Sequence, residues 1–221
     1  MTKNITVLIS GSGSNLQALI GAEKAGVLRG NIREVISSSQ KAYGLERALR
    51  AGIPTKVHSL KPYYELVSKE DKQERSRLRE KFNKDLANLI INGAVQGKVE
   101  GHIKPDLIVC AGWMLILSPM VLQPLEDAGI MIINLHPALP GAFDGIQAIE
   151  RAWEAGQKGL IKTSGVMIHK VIVDVDRGAP ILVKEVPIYT EEKLEDFENR
   201  IHEVEHTAIV EGTNIALLSM K

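Results

Sequence analysis

Asn134 and His136 close the apolar run Met131-Ile132-Ile133-Asn134-Leu135-His136, just before Pro137-Ala138-Leu139-Pro140-Gly141. The prolines and the glycine stop any ladder or helix, so the run reads as a short buried strand with both polar residues at its end. A strand's period of two puts the carboxamide and the imidazole on one face, where both can donate hydrogen bonds to an oxygen that gains charge during a reaction. A plainer part also suits them: Asn134 as a loop cap and His136 as a packed, hydrogen-bonded histidine. A carboxylate, Asp176, sits in the turn-rich stretch Asp174-Val175-Asp176-Arg177-Gly178 and suits proton handling, water positioning or an Asx-turn.

These groups are far apart in the chain, so an ordered sheet must bring them together. Ile5–Ile9 is a β-branched apolar strand that meets Ser10-Gly11-Ser12-Gly13-Ser14-Asn15, after which Leu16, Leu19 and Ile20 recur at helical spacing. A Gly-rich turn at a helix N-terminus surrounds an anion with backbone N–H groups, and a phosphate is the natural guest. A plain loop with Ser14 or Asn15 as N-cap explains the same residues. A dinucleotide is disfavoured, because Leu16 replaces the third glycine of the fingerprint and Glu34–Ser39 ends in serines where a ribose-binding acid is expected.

A helix over Tyr43–Ala51, a strand over Ile53–Val57, a charged helix over Ser68–Ile91 and a strand over Leu107–Ala111 follow. The alternation predicts an α/β fold: a Rossmann-like parallel sheet with helices on both faces. Met131–His136 is its fifth strand, Ile146–Trp153 a helix, and Val166–Val173 with Ile181–Val186 a C-terminal β-hairpin that makes the sheet mixed. A last helix runs from about Glu192 to Leu218. The connector Gly112–Pro119 is apolar and aromatic where a loop should be polar, so it either packs under the core or lines a pocket for a flat heterocycle.

The 221 residues suit one domain, and 27 basic against 27 acidic residues leave no field to attract nucleic acid or a membrane surface. Small-molecule partners are expected. A single Cys, Cys110, falls in an apolar run, which suits a buried thiol in a reducing compartment, and no signal or membrane-spanning stretch stands out. The reading is a cytoplasmic protein. Two metal motifs are resisted. His202-Glu203-Val204-Glu205-His206 matches H-E-x-x-H, but where the extended form has a glycine and a third-ligand histidine this chain holds Ile209 and Gly212. Asp174, Asp176 and Glu185 mimic a calcium loop whose glycine is misplaced and whose flanks are strands. No metal is expected.

The segments Ile9–Ala18, Ala111–Pro119, Asn134–Gly141 and Asp174–Gly178, in this order, resemble the folate-dependent formyltransferase family, in particular the phosphoribosylglycinamide formyltransferases of purine synthesis. The resemblance runs from Ile5 to about Glu211. It implies that Gly13, Ser14 and Asn15 hold the substrate phosphate, that Glu205 holds the ribose hydroxyls, and that Met114, Leu115, Ile116 and Leu117 contact the pterin of 10-formyltetrahydrofolate largely through backbone. Asn134 is carried over to the folate site as well, Arg79 matches a folate-contacting arginine, and Asn134, His136 and Asp176 match the catalytic triplet. One domain over 1–221 is expected, phosphate-binding up to about 110 and folate-binding and catalytic beyond it, as a monomer or weak homodimer. Leu115 stands where many relatives carry arginine, and the Pro140–Gly145 loop lacks a nearby histidine.

Direct attack of an amine on a formyl carbon creates an oxyanion and requires a proton to move between two nitrogens. Asn134 and a protonated His136 suit the oxyanion, with Asp176 keeping the imidazole charged. Competing readings are a formyltetrahydrofolate hydrolase, another folate-dependent formyltransferase, a zinc hydrolase and a non-catalytic binding module. Formyl transfer to initiator tRNA would need a basic surface that this neutral chain lacks.

Overall fold

The computed structural model describes residues 2–220. Its elements are β1 (Lys3–Ile9), α1 (Ser14–Lys24), β2 (Gly30–Ser37), α2 (Tyr43–Arg50), β3 (Thr55–Val57), a single helical turn (Lys61–Tyr64), α3 (Lys72–Asn92), β4 (Leu107–Cys110), α4 (Pro119–Asp127), β5 (Met131–His136), α5 (Ala148–Gln157), β6 (Thr163–Lys170), β7 (Pro180–Pro187) and α6 (Leu194–Ser219). The strands form one seven-stranded sheet in the order β3-β2-β1-β4-β5-β6-β7. Pairing is parallel from β3 to β5 and antiparallel for β5/β6 and β6/β7, which is the expected parallel sheet extended by a hairpin.

Alternation along the strands divides the core. Ile5, Val7 and Ile9 of β1 join Leu16 and Leu19 of α1 and Phe197, Ile201 and Ile209 of α6 on one face. Leu8, Ile108 and Ile132 point the other way, onto Phe82, Leu86 and Ile90 of α3 and Val121 and Leu125 of α4. Both layers are sealed, which leaves the C-terminal edge of the parallel strands as the place where loops meet. The order reverses between β1 and β4, so the loops after these strands diverge and open a crevice there.

Several boundaries differ from the sequence reading. α3 starts at Lys72 rather than near Ser68, because the Asp71 carboxylate accepts the Glu74 N–H at 3.0 Å and caps the helix there. α1 is capped by Gly13 in the left-handed region, φ 71°, and not by a Ser14 or Asn15 side chain. β6 ends at Lys170 rather than Val173. The chain beyond it folds back, with Lys170 N–H donating to the Ala179 carbonyl, and Gly178 approaches so closely that a Cβ there would lie 1.6 Å from the Lys170 carbonyl oxygen. Ile172 and Val173 are exposed as a result. The recoil also carries Asp176 to the end of β5.

Candidate active site

The loops after β1, β4 and β5, the start of α5, the β6–β7 loop and one face of α6 enclose a cleft of about 560 Å³. Gly13, Ser14, Asn15, Met114, Leu115, Ile116, Leu117, Asn134, His136, Asp176 and Glu205 all line it. Arg79 does not. It lies in α3, whose neighbouring Glu80 and Asn83 accept hydrogen bonds from the Ser118 hydroxyl at 2.7 Å and the Ser118 N–H at 3.2 Å, so this stretch of helix buttresses the connector from outside.

At the cleft floor Asp176 joins groups from three directions. Its Oδ2 accepts the Gly145 N–H at 2.9 Å and lies 3.4 Å from His136 Nδ1, while its Oδ1 accepts from Asn134 Nδ2 at 3.3 Å. The His136 and Asp176 side chains keep only 5% and 8% of their exposure, so the pair is shielded from bulk water. Asp176 adopts φ 56°, a conformation that aspartate tolerates better than most residues. The neighbouring pair Arg177–Asp144, Nη2 to Oδ2 at 2.5 Å, ties the two loops together.

Sequence reasoning missed His169, which is buried and lies directly across from Asn134 in the antiparallel β5/β6 register. Its Nδ1–H donates to the Lys170 carbonyl at 2.9 Å, and its Nε2 lies 3.2 Å from Asn134 Nδ2 and 3.4 Å from Asp176 Oδ1. Asn134 Nδ2 therefore faces both Asp176 Oδ1 and His169 Nε2, which together fix the orientation of the amide. The available signal was a histidine in a largely apolar strand, and only the register gives it meaning.

Electrostatics modify one expectation. Burial pushes His136 below the ordinary imidazole value, outweighing the opposite pull of the Asp176 carboxylate and reinforced by His169. His136 is therefore neutral at rest at neutral pH, not held charged. Burial alone would raise Asp176, but the His169 imidazole, the Gly145 N–H and His136 together hold it below the usual carboxylate range. Among the described residues His136 Nε2 is buried and has no partner. A neutral imidazole with its Nδ1 side turned to a carboxylate 3.4 Å away can present at Nε2 a lone pair able to take a proton.

The cradle end is built by backbone. Gly13 packs on α2 so tightly that a Cβ would lie 2.6 Å from Gly44 Cα. Gly13→Ala adds that clash to a positive φ, and it is expected to cost about 1–3 kcal/mol of stability and to weaken anion binding at the loop; thermal denaturation and the KM of a phosphorylated substrate check it. The buried Glu205 accepts from Asn15 Nδ2 at 3.2 Å and pairs with His202 Nδ1 at 3.0 Å, and that bond raises the His202 pKa. His202 lines the cleft too, another residue the sequence reading weighed only as a metal ligand. Among the described residues no cluster of three or more His, Cys, Asp or Glu side chains is placed to hold a metal.

The apolar connector between β4 and α4 lines the cleft. Its Met114 N–H donates to Ser10 Oγ at 2.9 Å, and Met114 and Ile116 are exposed at 68% and 61%, offering unsatisfied apolar surface to a flat ring. Cys110 beneath it is buried, and burial pushes its thiol up to about 12, which leaves it unreactive.

Comparison with known proteins places this geometry. Residues 3–213 match the formyl transferase family. The chain is 52% identical over 214 residues to the phosphoribosylglycinamide formyltransferase of Schizosaccharomyces pombe, covering 96% of each chain, and 36% identical to that of Escherichia coli, covering 92% of this chain and 82% of the relative. Among solved structures, the phosphoribosylglycinamide formyltransferase of Streptococcus pneumoniae superposes with a TM-score of 0.74 at 33% identity, covering 99% of this chain and 100% of that one.

Proposed function

The chain belongs to the formyl transferase family, and from that membership and the shape of the cleft we infer that it is an enzyme of purine biosynthesis that moves a formyl group from 10-formyltetrahydrofolate to the amine of 5-phosphoribosylglycinamide. The observation that carries the mechanism is the convergence of Asn134, His136 and Asp176 on one shielded corner of a cleft whose far end is a glycine cradle.

Ser14, Asn15 and the Gly13 backbone take the phosphate, and the free Glu205 oxygen takes the ribose hydroxyls. The apolar connector from Met114 to Leu117 holds the pterin. Arg79, outside the cleft, is assigned no contact with the ring. The substrate amine then attacks the formyl carbon: a C–N bond forms and the carbonyl electron pair moves onto oxygen, where the Asn134 amide lining the cleft donates to it. His136 Nε2 accepts the proton that the attacking nitrogen sheds, and Asp176 stabilises the imidazolium so formed. The imidazolium helps hold the oxyanion and returns its proton to the folate nitrogen as the old C–N bond breaks and the carbonyl reforms. Protons and charge balance without an acyl-enzyme.

This sequence has a pH signature. The neutral imidazole is the working form, so kcat/KM is expected to be flat around neutrality and to fall only as pH drops through the His136 pKa, which burial sets below about 6.5. Asp176, held below the usual carboxylate range, is ionised at neutral pH. A rate that rises as pH falls from 8 to 6 would mean that imidazolium is the starting form.

No helix among the described residues is long and apolar enough to cross a membrane. The reading places the enzyme in the cytoplasm as a monomer or weak homodimer, acting as one domain: the part up to about residue 110 carries the phosphate cradle, and the part beyond carries the folate pocket, the catalytic groups and Glu205. The test of function is the steady-state loss of 10-formyltetrahydrofolate with and without phosphoribosylglycinamide. Consumption is expected only with the amine present; equal consumption without it would identify a hydrolase.

A further inference from the structure

The phosphoryl cradle holds no cation of its own, since no Lys, Arg or His occurs between Ile5 and Ala22. Its carbonyls are nevertheless tied down from behind by α2. The Gly11 carbonyl accepts the Gly44 N–H at 3.1 Å, and the Ser12 carbonyl accepts Arg47 Nε at 2.9 Å. Arg47 Nη1 continues to Gln17 Oε1 at 3.2 Å, bracing the first turn of α1, and the guanidinium carbon lies 5.0 Å from the centre of the Tyr43 ring. A Cβ at Gly44 would lie 2.5 Å from Ile9 Cδ1 and 3.2 Å from Gly13 Cα, so helix and loop meet backbone to backbone.

In a planar trans peptide the C=O of one residue and the N–H of the next point in opposite directions. Carbonyls of Gly11 and Ser12 aimed at α2 therefore turn the N–H groups of Ser12 and Gly13 away from it. The loop lines the cleft and α2 does not, so away from α2 is toward the cleft. Neither N–H has an acceptor among the described residues.

We propose that Arg47 is a positioning residue for the substrate's phosphoryl group: without touching it, Arg47 holds the Ser12 peptide in the orientation that presents the Gly13 N–H and lays a permanent positive charge behind the cradle. This rests on the Gly11–Asn15 loop being the phosphoryl site. A fixed peptide and a nearby cation both favour a dianion over a neutral hydroxyl. Arg47 thus sets the preference for a phosphorylated substrate and has no part in the formyl-transfer step.

The test compares phosphoribosylglycinamide with its dephosphorylated counterpart, ribosylglycinamide, on the full chain. The wild-type ratio of kcat/KM values examines the cradle itself: no preference for the phosphorylated substrate would sink the cradle reading before Arg47 is considered. Given a wild-type preference, Arg47→Met is expected to shrink it about tenfold through the KM of the phosphorylated substrate, with kcat and the KM for 10-formyltetrahydrofolate nearly unchanged. A merely structural role would depress both substrates together; an unchanged ratio overturns the proposal. Arg47→Lys keeps a charge but not the fork that reaches Ser12 and Gln17, so it is expected to lose part of the preference. Should Arg47→Met fail to fold by circular dichroism, Arg47→Lys carries the same readout, and an unchanged ratio there overturns the proposal equally.

Discussion

Asp176→Asn is expected to lower kcat by about two to three orders of magnitude while leaving the melting temperature within a few degrees of wild type. Asparagine is isosteric and tolerates the left-handed backbone that position 176 adopts, so the fold has little reason to change. The site has every reason. The carboxylate accepts from the Gly145 N–H and the Asn134 amide and faces His136 Nδ1. A neutral carboxamide cannot stabilise the imidazolium formed during proton transfer, and it keeps only one of the two acceptor oxygens. Turnover within tenfold of wild type would remove Asp176 from the mechanism. A collapse in melting temperature would instead make it structural.

His136→Ala is expected to cost about two to four orders of magnitude in kcat and, more tellingly, to abolish the acid limb of the pH profile. Nε2 is the buried, unpartnered base that takes the proton from the attacking nitrogen. His169 has its Nδ1–H committed to the Lys170 carbonyl and its Nε2 facing Asn134 and Asp176. If the acid limb persists in His136→Ala, another group titrates and the assignment of the base is wrong. Because His136 and Asp176 act as one unit, the double variant is expected to lose little more than the worse single one.

What was readable in the sequence is what local chemistry decides. The glycine turn after Ile9, the apolar connector after Ala111 and the polar end of Met131–His136 each carry their signal within a few residues, and a parallel sheet necessarily gathers them at one edge. What was not readable depends on register and burial. His169 acquires meaning only from its place opposite Asn134, a pairing set by how β6 docks on β5. The early end of β6 follows from Gly178 folding onto Lys170, a contact invisible in a stretch whose Val171, Ile172 and Val173 read as strand. α4 contains Pro119 and Pro124, residues that read as breakers, yet Pro119 occupies the first turn, where its missing N–H costs nothing. Arg79 fits a motif in one dimension, but α3 keeps it outside the cleft lining. The resting charge of His136 is a competition between burial and a carboxylate, and only the structure shows that burial prevails.

The most direct test is a crystal structure of the chain with phosphoribosylglycinamide and a folate analogue that cannot release its one-carbon group. Expected are the phosphate on the Gly11–Asn15 backbone, the pterin against Met114–Leu117, and the amine roughly 3–3.5 Å from the reacting carbon, with His136 Nε2 within hydrogen-bond reach of the amine. A phosphate bound elsewhere, or an amine with the Asn134–His136–Asp176 corner out of reach, would contradict it.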